Sequence, residues 1–442
     1  MDSMPQALHN SRIGFHYYPD TLHYRDADLA SWLPELQALA ASWLTLQAPL
    51  VRAIPEYFIQ ELLRHQIQPI LHFPFSPTTP PPVEEFSLLC HSYARWGVKH
   101  VVLFDRPNLR CNWSSADWAR NNLVERFLDV FQPLALTAIH AGLIPVFPPL
   151  EPGGDYWDTA FLRAAFEGLL RRNQAPLLDR MALSCYAWSN GHPLNWGSGG
   201  PERWPAARPY DTPMGTEDQH GFRIFDWYLA LAEVVFGERR PIIALAAGAL
   251  PDEKAYDVPS PDSPHTTQNL LISRLLMGEK LALDPTPPEL LACNFWLLAA
   301  DSNYPAVAAA WYQPDGTTLP VVAKLQQWAT EHHWTTVPIT QSAKPPLKQP
   351  AANRPIAHYL LLASPDWCAS SWQMDLVRQL SMKFHPTIGF SPAEAVHAYR
   401  VTVLGISNSF PDSILDGLIA SGCQVDDLRG DGMTIATKVM GL

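Results

Sequence analysis

Carboxylates, histidines and aromatic rings recur directly after short apolar runs along the first three quarters of the chain. Asp105 and Arg106 follow one run, Glu151 follows the next, and His16 and His72 follow two others. Paired carboxylates can act as a general acid and a general base. Aromatic rings flanked by amides suit a sugar ring, which offers C–H faces and hydroxyls. The predicted cleft residues are His16, Tyr17, His72, Asp105, Arg106, Asn108, Trp113, Glu151, Tyr186, Trp188, Trp296 and Asp301.

Eight units of an apolar run followed by an amphipathic stretch must position these side chains. The runs lie at residues 12–17, 43–47, 67–73, 98–104, 143–147, 181–186, 241–246 and 291–297. The helical patterns lie at residues 29–41, 54–65, 83–96, 124–141, 159–172, 222–236, 267–276 and 320–331. Nearly continuous apolar runs are typical of buried parallel strands. Eight such units predict a (β/α)₈ barrel with its functional loops at the C-terminal strand ends; a doubly wound sheet is the alternative.

Composition limits the classes of function. The chain has 442 residues, of which 47% are hydrophobic and 17% charged, so most of it can bury a core and intrinsic disorder is excluded. Its formal net charge of −12 and the lack of any basic block argue against binding nucleic acid or an anionic membrane surface. No apolar stretch approaches the ~20 residues of a membrane span.

The N-terminal residues and the cysteines point to a reducing compartment. Residues 1–10 contain no apolar core of signal-peptide length. The six cysteines are scattered, without a CxxC pair or a histidine at finger spacing, and we expect reduced, mostly buried thiols. Both features predict a cytoplasmic protein, although a leaderless export route would leave no trace in the sequence.

No metal or cofactor is expected. His16, His72 and His192 lie in separate units, and HxH and HxxxH spacings are absent. The sequence contains neither a GxSxG nucleophile turn nor a GxxxxGK[ST] phosphate loop. The cleft must therefore act through carboxylates or bind without chemistry.

Four segments resemble a known family. They are residues 101–108 (VVLFDRPN), 179–186 (DRMALSCY), 241–248 (PIIALAAG) and 295–320. In this order they resemble strands four, six, seven and eight of the (β/α)₈ glycoside hydrolases that retain anomeric configuration with two glutamates. The resemblance covers residues 1–334. It implies an acid/base glutamate ending strand four, within Asn-Glu-Pro, and a nucleophilic glutamate ending strand seven, within Thr-Glu-x-Gly.

Both glutamates are replaced in this sequence. The matched positions hold Arg106 and Ala246, which can neither protonate a leaving group nor attack an anomeric carbon. The resemblance therefore implies a pseudoenzyme that binds carbohydrate without hydrolysing it. Relocated catalysis by Asp105 and Glu151 is the alternative, and a non-enzymatic scaffold is a third. If Asp105 instead pairs with Arg106, then Glu151 and Asp155 are expected to cap the following helix.

A change of composition divides the chain. Residues 335–354 are rich in Pro, Ala, Gln and Lys and predict a linker between a barrel at 1–334 and a small α/β domain at 355–442. In that domain strands are predicted at 358–363, 400–404 and 424–428, with helices at 372–384, 412–421 and 431–440.

The end of the chain carries a second resemblance. Residues 401–440 resemble one repeat of the bacterial cell-wall-binding modules of type 2, whose ending is nearly kept by Arg429, Gly430, Thr434 and Ala436. Those modules occur as three tandem copies, whereas one copy is present here. Docking to a protein or a cell wall through 355–442, or dimerisation, is therefore the expected role.

Overall fold

The computed structural model describes residues 10–251, 261–332, 356–363, 384–405 and 410–430, together with 354, 376–378, 380–381, 435 and 438. The chain forms two compact units. The first comprises Met1–Ala48, Leu62–Pro81 and Val98–Pro338, and the second comprises Pro49–Glu61, Pro82–Gly97 and Ile339–Leu442.

Eight parallel strands form a barrel in the first unit. They are β1 (Ile13–His16), β2 (Trp43–Gln47), β3 (Gln68–Phe73), β4 (His100–Leu103), β5 (Ile144–Val146), β6 (Leu183–Trp188), β7 (Ile242–Gly248) and β8 (Leu290–Phe295). Their spatial order is β5-β4-β3-β2-β1-β8-β7-β6. A single parallel bridge between Val146 and Ala182 links the two ends of this order. The predicted (β/α)₈ fold is confirmed.

Helices alternate with these strands along the chain. They are α1 (Asp26–Ala38), α2 (Glu56–Arg64), α3 (Val83–Arg95), α4 (Ser115–Trp118), α5 (Leu123–Ala141), α6 (Asp158–Arg171), α7 (Ala175–Arg180), α8 (Gly200–Arg203), α9 (Ile224–Phe236), α10 (Pro264–Leu276) and α11 (Pro320–Glu331). The long helices begin within three residues of the predicted patterns. The short helices α4, α7 and α8 were not predicted, because four to six residues are too few to show helical periodicity.

The barrel interior is filled with apolar side chains. Ile70, Val102, Ile243 and Ala246 are fully buried in one cluster with residues of the other strands. Every residue of β7 is buried, which agrees with its uninterrupted sequence IIALAAG. The interior is thus a packed core, and the charged residues Asp105, Arg106 and Glu151 follow the ends of β4 and β5.

The second unit contains a four-stranded parallel sheet. Its strands are β9 (Ile356–Leu362), β10 (Thr387–Gly389), β11 (Ala398–Gly405) and β12 (Gln424–Arg429), in the order β10-β9-β11-β12. Two further helices are α12 (Pro392–Ala395) and α13 (Asp412–Ala420). The prediction of three strands is corrected to four, because β10 has only three residues and shows no alternation. Most of the predicted helix at 431–440, of that at 372–384 and of the linker lies outside the described residues.

Segments from early in the chain belong to this second unit. Leu88 of α3 packs against the apolar cluster that contains Leu360 and Val377. Arg52 pairs with Glu394 at 2.6 Å, and the same carboxylate accepts the Tyr359 hydroxyl at 2.8 Å. The second compact unit therefore includes residues well before position 355, and the predicted domain boundaries stay a prediction.

Five cysteines in the described part of the chain are free thiols, four of them buried and Cys111 exposed. None of the helices that the structure describes combines the length and apolarity needed to cross a membrane.

Candidate functional site

The backbone at the end of β4 is strained. Phe104 and Arg106 both have positive φ angles, 65° and 43°. Residues other than glycine adopt this left-handed region at a cost of about 1–3 kcal/mol, and such positions cluster at functional sites. Asn112 holds the turn by donating to the carbonyl oxygens of Asp105 and Arg106 at 3.0 and 2.8 Å. This backbone conformation brings the charged side chains of Asp105 and Arg106 together.

Arg106 lies between two carboxylates. Its Nε and Nη2 donate to Oδ2 of Asp105 at 3.1 and 3.0 Å, and its Nη1 lies 3.6 Å from Oε2 of Glu151. The other Asp105 oxygen accepts the Tyr186 hydroxyl at 2.6 Å. The guanidinium also lies 5.7 Å from the centre of the Tyr186 ring. The expected Asp105–Arg106 ion pair is therefore present. Arg106 also faces a second carboxylate, that of Glu151.

This cluster fixes the protonation states of two of its members. Burial lowers the pKa of Arg106, but the charge and hydrogen bond of Asp105, together with Tyr186 and Glu151, outweigh burial and the net shift is upward. Burial and the neighbouring Asp105 charge raise the pKa of Tyr186 well above its usual range. Arg106 thus stays charged and Tyr186 stays a hydrogen-bond donor at any working pH.

Tyr186 connects the β4 end with the β7 end. In the sheet Tyr186 pairs in register with Ala246, and both belong to the apolar cluster inside the barrel. Ala246 is fully buried. The strand then ends at Gly248, whose φ of 103° and close approach to Asn269 leave no room for a side chain. The position matched to a nucleophile is therefore occupied by a methyl group in apolar surroundings.

Two histidines and a tryptophan lie at the ends of β1, β3 and β8. The His16 ring is 4.7 Å from Trp296 and 6.2 Å from His72, measured between ring centres. His72 Nε2 donates to the carbonyl of Phe104 at 3.1 Å. Burial, and secondly His72, lower the pKa of His16 to about 3, and burial lowers that of His72. Both rings are neutral at pH 7 and offer neutral donors or acceptors.

The loop after β5 is held by its neighbours' side chains. The amide of Asn108 accepts from the backbone nitrogen of Glu151 at 2.9 Å and donates to its carbonyl at 2.9 Å. Buried Asp158 accepts from Gly153, Gln219 and Tyr228, each at 3.0 Å. Asn108 was predicted to bind substrate, but its side-chain amide instead forms hydrogen bonds with the backbone of the loop that carries Glu151.

The expected helix caps are wrong. Helix α6 begins after Trp157 without a side-chain cap. Asp155 instead accepts from the backbone nitrogen of Arg110 at 2.8 Å, and Glu151 faces Arg106. The loops after β4 and β5 lie side by side. Both carboxylates of the β5 loop therefore contact residues of the β4 loop instead of the helix.

Three other predicted residues contact groups outside the Arg106 cluster. Tyr17 is fully buried and belongs to a ring cluster with Tyr18 and Trp32. Trp113 donates to the carbonyl of Pro107 at 2.7 Å. Asp301, 56% exposed, lies 3.5 Å from His23 Nε2. A substrate role for these three stays a prediction.

Asp20, His23 and Asp301 are the group within the described ranges whose ligand atoms approach one another closely enough for a metal. Each carboxylate faces one ring nitrogen of His23, at 2.9 Å from Asp20 and 3.5 Å from Asp301. Pairing of the carboxylates with the ring accounts for this arrangement without an ion.

Two residues beside the cleft were missing from the predicted set. Asn112 holds the strained turn, and Tyr304, half-buried near Trp296, lies close enough to Arg106 for its pKa to be affected by that charge. Tyr304 comes from the loop after β8, whereas Arg106 follows β4. Predicting a barrel places both loops at the same face. It does not predict which side chains from opposite sides of the barrel approach each other.

No protein-family profile matches the sequence, and no curated protein matches it. Among solved structures, a family 39 glycoside hydrolase from Bacteroides cellulosilyticus WH2 is similar over 73% of this chain and 64% of that chain, just under two thirds of its length, with 11% identity and a TM-score of 0.46. A GH39 β-xylosidase from Caulobacter crescentus is similar over 72% and 71%, with 12% identity and a TM-score of 0.45.

A sugar epimerase is also similar. D-Psicose 3-epimerase from Clostridium cellulolyticum H10 matches over 72% of this chain and 97% of that chain, with 11% identity and a TM-score of 0.38. The residues of this chain must therefore carry any conclusion about its function.

Proposed function

We propose that the barrel binds a carbohydrate at its C-terminal strand ends without hydrolysing it. The observation that carries this proposal is the contact of one guanidinium, Arg106, with both Asp105 and Glu151. A general acid must hold and release a proton, and a nucleophile needs an exposed lone pair. Asp105 offers neither freely, because both of its oxygens already accept charged or short hydrogen bonds.

The rings around this cluster support sugar binding. Tyr186 and Trp188 lie nearly parallel with centres 6.0 Å apart, and Trp296 packs against the same barrel cluster. Trp188 and Trp296 are only partly buried, so part of each ring remains accessible. With two carboxylates against one guanidinium, neutral glycans are expected to bind better than uronic acids.

A second candidate is an active glycosidase. It is favoured by Glu151, whose carboxylate is 36% exposed and meets Arg106 at the longer distance of 3.6 Å. In this reading Glu151 and Asp105 replace the missing glutamates, as relocated carboxylates would in an inverting arrangement.

The test is a binding titration against a panel of neutral oligosaccharides, with released reducing ends assayed in the same samples. We expect saturable binding without product. Trp188→Ala and Trp296→Ala should each weaken binding about 10-fold, since a stacked ring contributes roughly 1–1.5 kcal/mol. Trp328→Ala is the matched control, because Trp328 lies on α11 and stacks on His332.

The other outcomes are distinct. Product that disappears in Glu151→Gln or Asp105→Asn would establish the second candidate and overturn the first. Product unaffected by either change would show that the chemistry lies elsewhere. Neither binding nor product across the panel would leave a scaffold role.

We further propose a docking role for residues 355–442 and a cytoplasmic location. Support for docking comes from the sheet β10-β9-β11-β12, whose edge strand β12 ends in Arg429. Arg429 pairs with Asp412 and Asp427, each at 2.9 Å, so it braces the sheet itself. Co-sedimentation with isolated cell walls, and sedimentation analysis of the protein alone, separate wall binding from dimerisation.

A further inference from the structure

A second cavity lies on the outside of the barrel, between α1 and α11. Its volume is about 370 Å³, within the range of small-molecule sites. Residues from two regions far apart in sequence, 31–35 and 312–326, line it. The side chains that matter are Ser31, Trp32, Glu35, Tyr312, Thr318 and Gln326.

Two aromatic rings form adjacent walls of this cavity. Trp32 and Tyr312 are nearly perpendicular, at 87°, with ring centres 5.1 Å apart. Trp32 also packs edge-on against Tyr18, with ring centres 6.0 Å apart. Tyr312 is fixed by its hydroxyl, which donates to Oε2 of Glu35 at 2.6 Å.

The carboxylate of Glu35 receives only neutral donors among the described contacts. Gln326 Nε2 donates to the same oxygen at 3.0 Å. The cations on the two helices are paired elsewhere: Arg25, which precedes α1, lies 2.8 Å from Asp28, and Lys324 of α11 lies 3.4 Å from Asp262. Burial and Glu35 raise the pKa of Tyr312, so the phenol keeps its proton. A half-buried negative charge is thus left without a positive partner in the described structure.

We propose that this cavity binds a small organic cation with an alkylated ammonium group, held by the rings of Trp32 and Tyr312 and balanced by Glu35. Aromatic faces attract such a cation, and a neighbouring carboxylate strengthens the attraction. A neutral sugar would leave the Glu35 charge uncompensated, and an anion would be repelled by it. This site is independent of the proposed carbohydrate cleft.

The test uses choline and its neutral isostere 3,3-dimethylbutan-1-ol. The protein is labelled with 5-fluorotryptophan, and the ¹⁹F resonance lost in Trp32→Phe identifies Trp32. We expect choline to shift this resonance saturably and the neutral isostere to bind at least about fivefold more weakly. Glu35→Gln keeps an acceptor for Tyr312 and should weaken choline binding about 10-fold.

Trp328→Phe, on α11 but outside the cavity, and Glu167→Gln, a surface carboxylate paired with Arg163, are the matched controls. Both should leave choline binding unchanged. Circular dichroism and the thermal midpoint confirm that each variant is folded. Equal binding of choline and its isostere, or no shift with choline, would overturn the proposal. A shift of the Trp32 resonance by an oligosaccharide alone would also overturn it and assign a sugar site.

Discussion

Asp105 at the end of β4 and Glu35 on α1 are carboxylates with one feature in common and one difference. Each accepts a tyrosine hydroxyl at 2.6 Å, from Tyr186 and Tyr312 respectively. Asp105 also binds the Arg106 guanidinium at 3.0 Å, whereas the second donor to Glu35 is the neutral amide of Gln326. The two sites therefore differ in whether the protein itself balances the negative charge.

This difference bears on what each site can bind. An internal ion pair satisfies Asp105, so a ligand gains little by supplying charge there and must compete by shape and stacking. Glu35 lacks that compensation, so a cationic ligand supplies what the protein omits. One chain thus contains a carboxylate at the strand ends that pairs with a guanidinium of the protein, and a carboxylate on the barrel wall whose described partners are neutral.

Acid should separate the two regions most strongly, because the cleft contains the buried His16 and His72, whereas the residues that line the cavity between α1 and α11 include no histidine. The folded-state pKa of His16 is about 3, below the 6.5 of a free histidine, so the unfolded chain binds the extra proton first. The free energy of unfolding should therefore fall as the pH drops from about 6.5 towards 4, by about 3 kcal/mol from His16. His16→Asn should flatten this dependence in urea unfolding at a series of pH values. The same slope in wild type and variant would contradict the assignment.

Removing the guanidinium should be the next largest effect. Arg106→Met leaves Asp105 and Glu151 facing each other without a cation. We expect the free energy of unfolding to fall by about 2 kcal/mol, less than for a fully buried pair because the Arg106 side chain is 42% exposed. Chemical denaturation at neutral pH measures this.

A double-mutant cycle with Asp105→Asn provides the control for Arg106→Met. If the pair is coupled, the double variant should be less destabilised than the sum of the two single variants, by about 1 kcal/mol. Strict additivity would mean that Arg106 acts through packing on Tyr186 instead.

The barrel was predictable because its strands are uninterrupted apolar runs, as in IIALAAG of β7. The positions of Arg106 and Ala246 came instead from the resemblance to the two-glutamate glycoside hydrolases; in the structure Arg106 follows β4 and Ala246 lies within β7. The strand β10 was missed because three residues carry no pattern.

Side-chain partners could not be predicted in the same way. Tyr186 and Asp105 are separated by 81 positions in the chain, and Tyr312 and Glu35 by 277. Asn108 shows the consequence: a polar residue in a strand-end loop predicts ligand binding, but its amide is used by the neighbouring loop's backbone. The cavity between α1 and α11 depends on contacts between residues far apart in the chain. No local sequence pattern could therefore predict it.

Removing one tyrosine hydroxyl at each site compares the two carboxylates directly. Tyr312→Phe deletes a donor to Glu35 in a half-buried site and should lower the free energy of unfolding by about 1 kcal/mol. Tyr186→Phe should cost a similar amount or less, because Arg106 still satisfies Asp105. The measurement is the urea midpoint of each variant, and a much larger loss for Tyr186→Phe would contradict the comparison.

The smallest expected change in stability is the one that best distinguishes the two carboxylates. Asp105→Asn and Glu35→Gln each replace a carboxylate by its amide at nearly constant volume. Asp105→Asn loses the attraction of Arg106 and should lower the free energy of unfolding by about 1 kcal/mol. Glu35→Gln loses no cation and should change it by less than about 0.5 kcal/mol, because the amide oxygen still accepts from Tyr312.

Adding choline should then reverse the order of these two variants. Saturating choline stabilises any chain whose cavity binds it, by about 1.4 kcal/mol at ten times the dissociation constant. Wild type and Asp105→Asn should gain this free energy of unfolding, which is seen as a higher thermal midpoint. Glu35→Gln should not gain it. A gain in all three would show that the Glu35 charge is not what selects the ligand, and a gain in none would remove the distinction between the two sites.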